Sequence, residues 1–142
     1  MNREDQVNKI LEYLKDEHLS VLTTADSNGQ PEAATMAFSE TENLELIFST
    51  SNKTRKYKNL QENKKVAVVI GMRFDPFITV QYEGTAREAT GEELDKVKKI
   101  HTTKNEESKK YADSPDNSFW VVSPKWIRYW DVRGNEKFEL NF

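Results

Sequence analysis

The sequence contains no cysteine. Disulfides, thiolate nucleophiles and cysteine-based metal centres are thereby excluded. Histidine is nearly as scarce. His18 and His101 stand alone, with no second histidine at i+4 and no carboxylate cluster at metal-ligand spacing, so no metal site is expected and each reads as a surface residue. The few glycines form neither a G-x-x-x-x-G-K-[ST] loop nor G-x-G-x-x-G, and P-loop or Rossmann nucleotide binding has no support. No apolar run nears the roughly 20 residues of a spanning helix. The opening residues, MNREDQVNKI, carry charge where a signal peptide has its apolar core. The expectation is a soluble, cytoplasmic protein without membrane contact. A net charge of −3 also disfavours binding by phosphate neutralisation, so no nucleic acid partner is expected. Only the basic stretch from Lys53 to Lys65, together with exposed tryptophans, would favour one.

What is present suits one domain over residues 1–142. Charged residues reach 32%, above the usual quarter or so, while the apolar fraction is 36%. A core that lean gains from burying a further face against a second copy, which hints at a dimer.

Val7, Ile10, Leu11 and Leu14 recur at helical spacing and predict a helix over about 3–17, capped by Asn2 with Glu4 and Asp5 in its first turn. The period then changes. HLSVLTTAD reads as a strand, and Asn28-Gly29 supplies the positive φ of a hairpin turn. PEAATMAF follows, then a turn at Glu42-Asn43, then LELIFST. VAVVIGM is a continuous apolar run that suits a strand covered on both sides. FITVQYEGTARE forms a long strand with Gly84 as a bulge. Thr90 and Glu93 predict a capping box for a helix near 91–101. TTKNEESKKYADSPDNS reads as a frayed helix and loop. FWVVSPKWIRYWDV returns to strand, broken at Pro124, and Phe138, Leu140 and Phe142 alternate to the end. About seven strands on short links, with an N-terminal helix and short peripheral helices, predict a mainly β protein: an antiparallel sheet closed into a small barrel.

STSNKTRKYKNL, residues 49–60, holds the chemistry. It predicts a short helix whose N-terminal end gathers Lys53, Arg55, Lys56 and Lys58, although that end of a helix carries positive partial charge. Surface cations are cheap to solvate, so this cluster has a bland explanation. The alternative is a bound anion. Free N–H groups, the hydroxyls of Ser49, Thr50, Ser51 and Thr54, the fork of Arg55 and the point charge of Lys56 together make a phosphate site. Ala33, Ala34, Thr35 and Ala37 let something flat approach a neighbouring strand. Trp126, Arg128 and Trp130 share one face of the C-terminal strand, as a stacking surface or as an aromatic core or dimer face.

VLTTADSNGQP, IFSTSNKTRKYKNLQENKKVAVVI, VQYEGTARE and VSPKWIRYWD, in that order over roughly residues 18–134, resemble the pyridoxamine 5′-phosphate oxidase-like family of FMN-binding split β-barrels. The resemblance implies a homodimer with two flavin sites at the subunit interface. It assigns the FMN phosphate to Arg55 and Lys56, helped by Ser49 and Thr50. It places Thr35, Met36 and Ala37 along the isoalloxazine ring. It matches Thr79 to a flavin-facing glutamine of the long strand, with Gln81 on the same face as the other candidate. It matches Trp130 to an aromatic residue that reaches the flavin from the partner chain. Oxidases of pyridoxamine phosphate carry an arginine and a lysine where this chain has Ala34 and Ser39. They also carry an arginine-histidine motif that NEKFELNF lacks. The expectation is therefore an FMN-dependent oxidoreductase acting on another small-molecule redox substrate, with no side chain named as catalytic. The alternative is a non-enzymatic module on the same barrel, a sensor or store for flavin, the deazaflavin F420 or haem.

Overall fold

The computed structural model describes residues 1–142. Helix α1 (Arg3–Lys15) starts at a capping box in which the Asn2 side chain accepts from the Asp5 N–H and Asp5 reaches back to Asn2. Its stripe of Ile10, Leu11 and Leu14 is buried. Strands β1 (Leu19–Ala25) and β2 (Pro31–Ala37) form a hairpin, with Gly29 at φ 83° in the turn and the Asp26 carboxylate accepting from the N–H groups of Asn28 and Gln30. Then come β3 (Ser39–Glu40), β4 (Leu46–Ser51), helix α2 (Arg55–Glu62), β5 (Lys65–Ile70) and β6 (Ile78–Glu88). Helix α3 (Gly91–Lys104), a 3-10 turn (Glu106–Ser108), α4 (Lys109–Ala112), β7 (Asn117–Asp131) and β8 (Glu136–Asn141) complete the chain.

All strand pairings are antiparallel, in the order β2-β1-β5-β6-β7-β4-β3, with β8 also on β7. The sheet curls into the expected split barrel. One face of every strand points inward. Leu22, Phe48, Val68, Val80, Tyr82, Trp120 and Ile127 fill the interior, and α1 covers its open end. A smaller cluster on the outside packs Val97 of α3 and Ala112 of α4 onto Ile47, Phe119 and Val121.

Four expectations need correction. β5 is not covered on both sides: Val66, Val68 and Ile70 are buried, while Ala67 and Val69 face out. The apolar run is real, but nothing in the chain lies over its outer side. Pro124 does not break β7. It falls where β7 exchanges β4 (through Val122) for β8 (from Trp126) as its neighbour on that side, so its missing N–H costs no ladder bond there. On the other side the register shifts at Glu83/Gly84, the expected bulge. A Cβ at Gly84 would lie 2.4 Å from the Ser123 carbonyl oxygen, so only glycine permits this approach. The capping box at α3 does not form: Thr90 makes no side-chain cap bond, and Glu93 pairs with Arg87 instead. Finally, His101 is no surface residue. It is 2% exposed, with Nδ1 2.9 Å from Ser39 Oγ. His18 is exposed as expected.

Candidate functional site

Helix α2 begins at Arg55, so Lys53 and its neighbours precede it and Arg55 and Lys56 occupy the first turn. Thr54 is the N-cap. Its hydroxyl accepts from the Tyr57 N–H and donates to the Ser51 carbonyl at 2.9 Å. Thr50 Oγ1 lies 3.0 Å away and is left as the donor of that pair. Helix geometry leaves the Arg55 and Lys56 N–H groups without intrahelical acceptors. No acidic residue sits in this turn.

The cations differ in their surroundings. Lys53 bridges to Asp116 at 3.2 Å. Arg55 pairs through Nε with Glu32 of β2, a residue that sequence reasoning passed over because it lies 23 positions away. Lys56 has no carboxylate partner. It lies half-buried beside Met36, Phe48, Thr50 and Trp120, at the edge of the barrel interior. Thus Thr50, Lys56 and Met36 do come together. Ser49 does not join them. It faces the other side of β4 and donates to Asn117 Oδ1 at 2.7 Å. The Nδ2 group of Asn117 is buried without a partner. Ser49, Thr50 and Ser51 line an open hollow of about 470 Å³ there, together with Tyr111, Ser114, Asp116 and Asn117. The segment after α3, expected as a frayed helix and loop, supplies that wall.

The remaining candidates lie on the outer surface of the sheet. Thr35 and Ala37 face out from the edge strand β2, while Met36 turns inward. Thr79 stands opposite Trp130, and Gln81 opposite Arg128. Trp126, Arg128 and Trp130 share a face as the period of two requires, but cations already lie over both rings. Arg128 is 5.2 Å from the Trp126 centroid and Lys137 is 4.8 Å from that of Trp130. From β2 to β7 there are four strand steps, roughly 19 Å along the sheet. Along the sheet the α2 corner and Trp130 therefore stand apart, while Trp126 and Gln81 share a groove of about 280 Å³ with Val21 and Thr23 of β1. The outer surface between β2 and β7 carries Leu19 and Val69, 51% and 37% exposed.

Little else has the chemistry of a site. No group of three His, Cys, Asp or Glu residues is placed to hold a metal ion, and no helix is long and apolar enough to cross a membrane. Burial pushes the Tyr82 phenol up, but its hydroxyl is committed to the Leu44 and Val122 carbonyls and serves the core. Neither position that distinguishes the true oxidases can reach a ligand's phosphate. Ala34 has no polar side chain, and Ser39 is fully buried against His101.

Comparison with known proteins bears on this arrangement. No curated protein matches the sequence. Among solved structures, the heme binding protein from Mycobacterium smegmatis superposes with a TM-score of 0.83 at 18% identity, over 99% of this chain and 59% of that one. Campylobacter jejuni ChuZ gives 0.81 at 14%, over 99% and 61%. General Stress Protein 26 from Bacillus anthracis str. Sterne gives 0.73 at 22%, over 99% and 100%. The chain thus spans about three-fifths of the first two and the whole of the third, and these likenesses establish the fold. The profile of the pyridoxamine 5′-phosphate oxidase family matches residues 7–131. With that match, over the split barrel described above, the chain belongs to the pyridoxamine 5′-phosphate oxidase family.

Proposed function

We propose that the chain binds FMN and acts as a flavin-dependent oxidoreductase, in the form of a homodimer, on a small-molecule redox substrate other than pyridoxamine phosphate. The observation that carries this reading is the first turn of α2: a helix N-terminus with no acid, two cations, and one of them, Lys56, without a counter-charge. A phosphate monoester answers both the dipole and Lys56. The corner fits such a group. Thr50 lies beside Lys56 but gives its hydroxyl proton to Thr54, so the donors to a phosphate are Lys56 and the first-turn N–H groups, and Ala33 and Ala37 leave the outer side of β2 clear for a flat ring beside Thr35 and the Met36 backbone. Arg55 adds its fork, though Glu32 already engages its Nε.

Two further observations support a second subunit. The outer side of β5 exposes Ala67 and Val69 with nothing over them, and Trp130 stands four strand steps along the sheet from a ring held at β2 of the same chain, with Thr79 and Gln81 three steps away. A partner copy would supply them and bury Leu19, Val69 and Ala67. When bound, the flavin supplies the electron transfer itself. The chain's own groups hold the phosphate, orient the ring and exclude water from one side. Absence of the phosphate-gripping pair at Ala34 and Ser39 argues against oxidation of pyridoxamine phosphate.

The second reading is a non-catalytic module that holds flavin, F420 or haem. It draws on the scarcity of uncommitted acids and bases near the corner, and on the haem-binding protein that shares the fold. Purified protein is expected to show flavin absorption, or to acquire it when titrated with FMN. Absence of binding at high micromolar FMN sinks the first reading. Rapid NAD(P)H-driven turnover with an electron acceptor sinks the second.

A further inference from the structure

Arg55 and Lys56 are adjacent in sequence but unequal in charge available to a ligand. The Arg55 guanidinium is 78% exposed, whereas the Glu32 side chain that it meets is 16% exposed and fixed on β2. The space beside the pair, about 250 Å³, is lined by Asp26, Gln30, Pro31, Glu32, Arg55 and Asn59. It holds two carboxylates to one cation. Asp26 is committed to its own turn through the Asn28 and Gln30 N–H groups, 2.9 Å each. Glu32 has only Arg55. On the other side, Lys56 faces Thr50 and apolar groups and keeps its whole charge.

We infer that Glu32 sets the strength of phosphate binding at this corner by competing with the ligand for Arg55. The inference rests on the FMN reading above. Two effects of Glu32 oppose each other. Its carboxylate pins a long, exposed side chain, which spares some ordering cost on binding. It also sets a negative charge against a phosphate bearing nearly two, at close range and with one side shielded from water. The second effect is larger, because the ordering saved concerns one side chain while the repulsion acts on both ligand charges. Arg55 therefore contributes little to affinity while Glu32 engages it, and Lys56 does most of the holding. The consequence is a flavin that exchanges with solution.

The test compares FMN with riboflavin, which lacks the phosphate, by fluorescence titration of the full chain. Glu32→Gln is expected to tighten FMN about tenfold and to leave riboflavin unchanged, with the FMN gain shrinking at high salt. In the parent chain Arg55→Ala is expected to weaken FMN less than about threefold, and in the Glu32→Gln background about tenfold; the difference is the coupling between the two residues. Glu32→Thr, which suits an edge strand, repeats the test should the amide disturb folding. Equal FMN affinity in parent and variants, or weaker binding in Glu32→Gln, overturns the role of Glu32 and leaves the FMN reading standing. FMN binding to none of these chains overturns both.

Discussion

Helices α2 and α3 treat charge in opposite ways. At α3 the charges near the ends suit the helix dipole, and Glu93, His101 and Lys104 each have a partner inside the chain. Glu92 and Glu93 lie in its first turn, where the dipole favours them. Arg87 bridges Glu93 at 2.7 Å, Glu45 at 2.9 Å and Ser123, and this guanidinium holds the Glu93 carboxyl below the usual carboxylate range. In its last turn His101 meets Ser39, and Lys104 reaches both the Leu14 carbonyl and Glu40. At α2 the first turn has cations where the dipole disfavours them, and Lys56 meets no acid. A helix with a structural task closes its own circuit. On the reading proposed above, one that leaves it open awaits an anion from outside.

The sharpest way to break this contrast is to reverse the open end. Arg55→Glu with Lys56→Glu is expected to weaken FMN binding by more than about a hundredfold, since the Lys56 contact is lost and two carboxylates are set against the phosphate. Thermal stability should fall only slightly, because the gain of about 0.3–1 kcal/mol for each acid at a helix N-terminus is offset by loss of the Arg55–Glu32 pair and repulsion between Glu32 and the new carboxylate at position 55. A fluorescence titration and a melting curve on the same sample decide it. Retained FMN affinity would falsify the phosphate assignment, and collapse of the fold would show that the cations are structural.

The closed helix is tested by pH. Burial first, and the neighbouring Lys104 charge second, push the His101 imidazole down from 6.5 to about 4. In the unfolded chain the same ring takes its proton near 6.5. Between those values the unfolded state binds the extra proton, so stability rises with pH across the window. It is complete above about pH 7 and is lost as pH falls, at up to about 1.4 kcal/mol per pH unit. Urea unfolding at pH 6.5 and pH 5 should differ by about 1.6 kcal/mol from this group alone. His101→Asn keeps an acceptor for Ser39 but cannot titrate there, and its loss over the same range should be smaller by that amount. Equal losses in both proteins would mean that His101 is not held neutral by the fold.

Much of this contrast could be read from residues close in sequence, and little of it where partners are distant. The stripe of α1, the Asn28-Gly29 turn, the Gly84 bulge and the cationic turn after β4 are local patterns, and each stands where the pattern predicts. The box at Thr90 and Glu93 failed although its spacing is right. Arg87, six residues before Glu93 and across the corner, offers a charge-assisted bond that a backbone N–H does not match. Glu32 beside Arg55 and Asn117 beside Ser49 were invisible for the same reason, since strand pairing brings them there from 23 and 68 residues away. The reading of β5 as covered on both sides shows another limit. Alternation is masked when both faces are apolar, and the sequence does not say whether the cover belongs to the same chain.

The smallest expected effect separates the two helix caps themselves. Thr54 and Thr90 are the same residue at the same position of two helices, yet only Thr54 makes the cap bond. Thr54→Ala removes the acceptor for the Tyr57 N–H and the donor to the Ser51 carbonyl, and should cost about 1 kcal/mol. It also frees the first turn that presents Lys56, so FMN affinity should fall by a few-fold. Thr54→Ser keeps the hydroxyl and should restore both. Thr90→Ala has no cap bond to lose and should change stability by less than about 0.5 kcal/mol. Differential scanning calorimetry of the three variants ranks them, and equal losses at Thr54 and Thr90 would mean that the hydroxyl of Thr54 does not hold the open end of α2 in place.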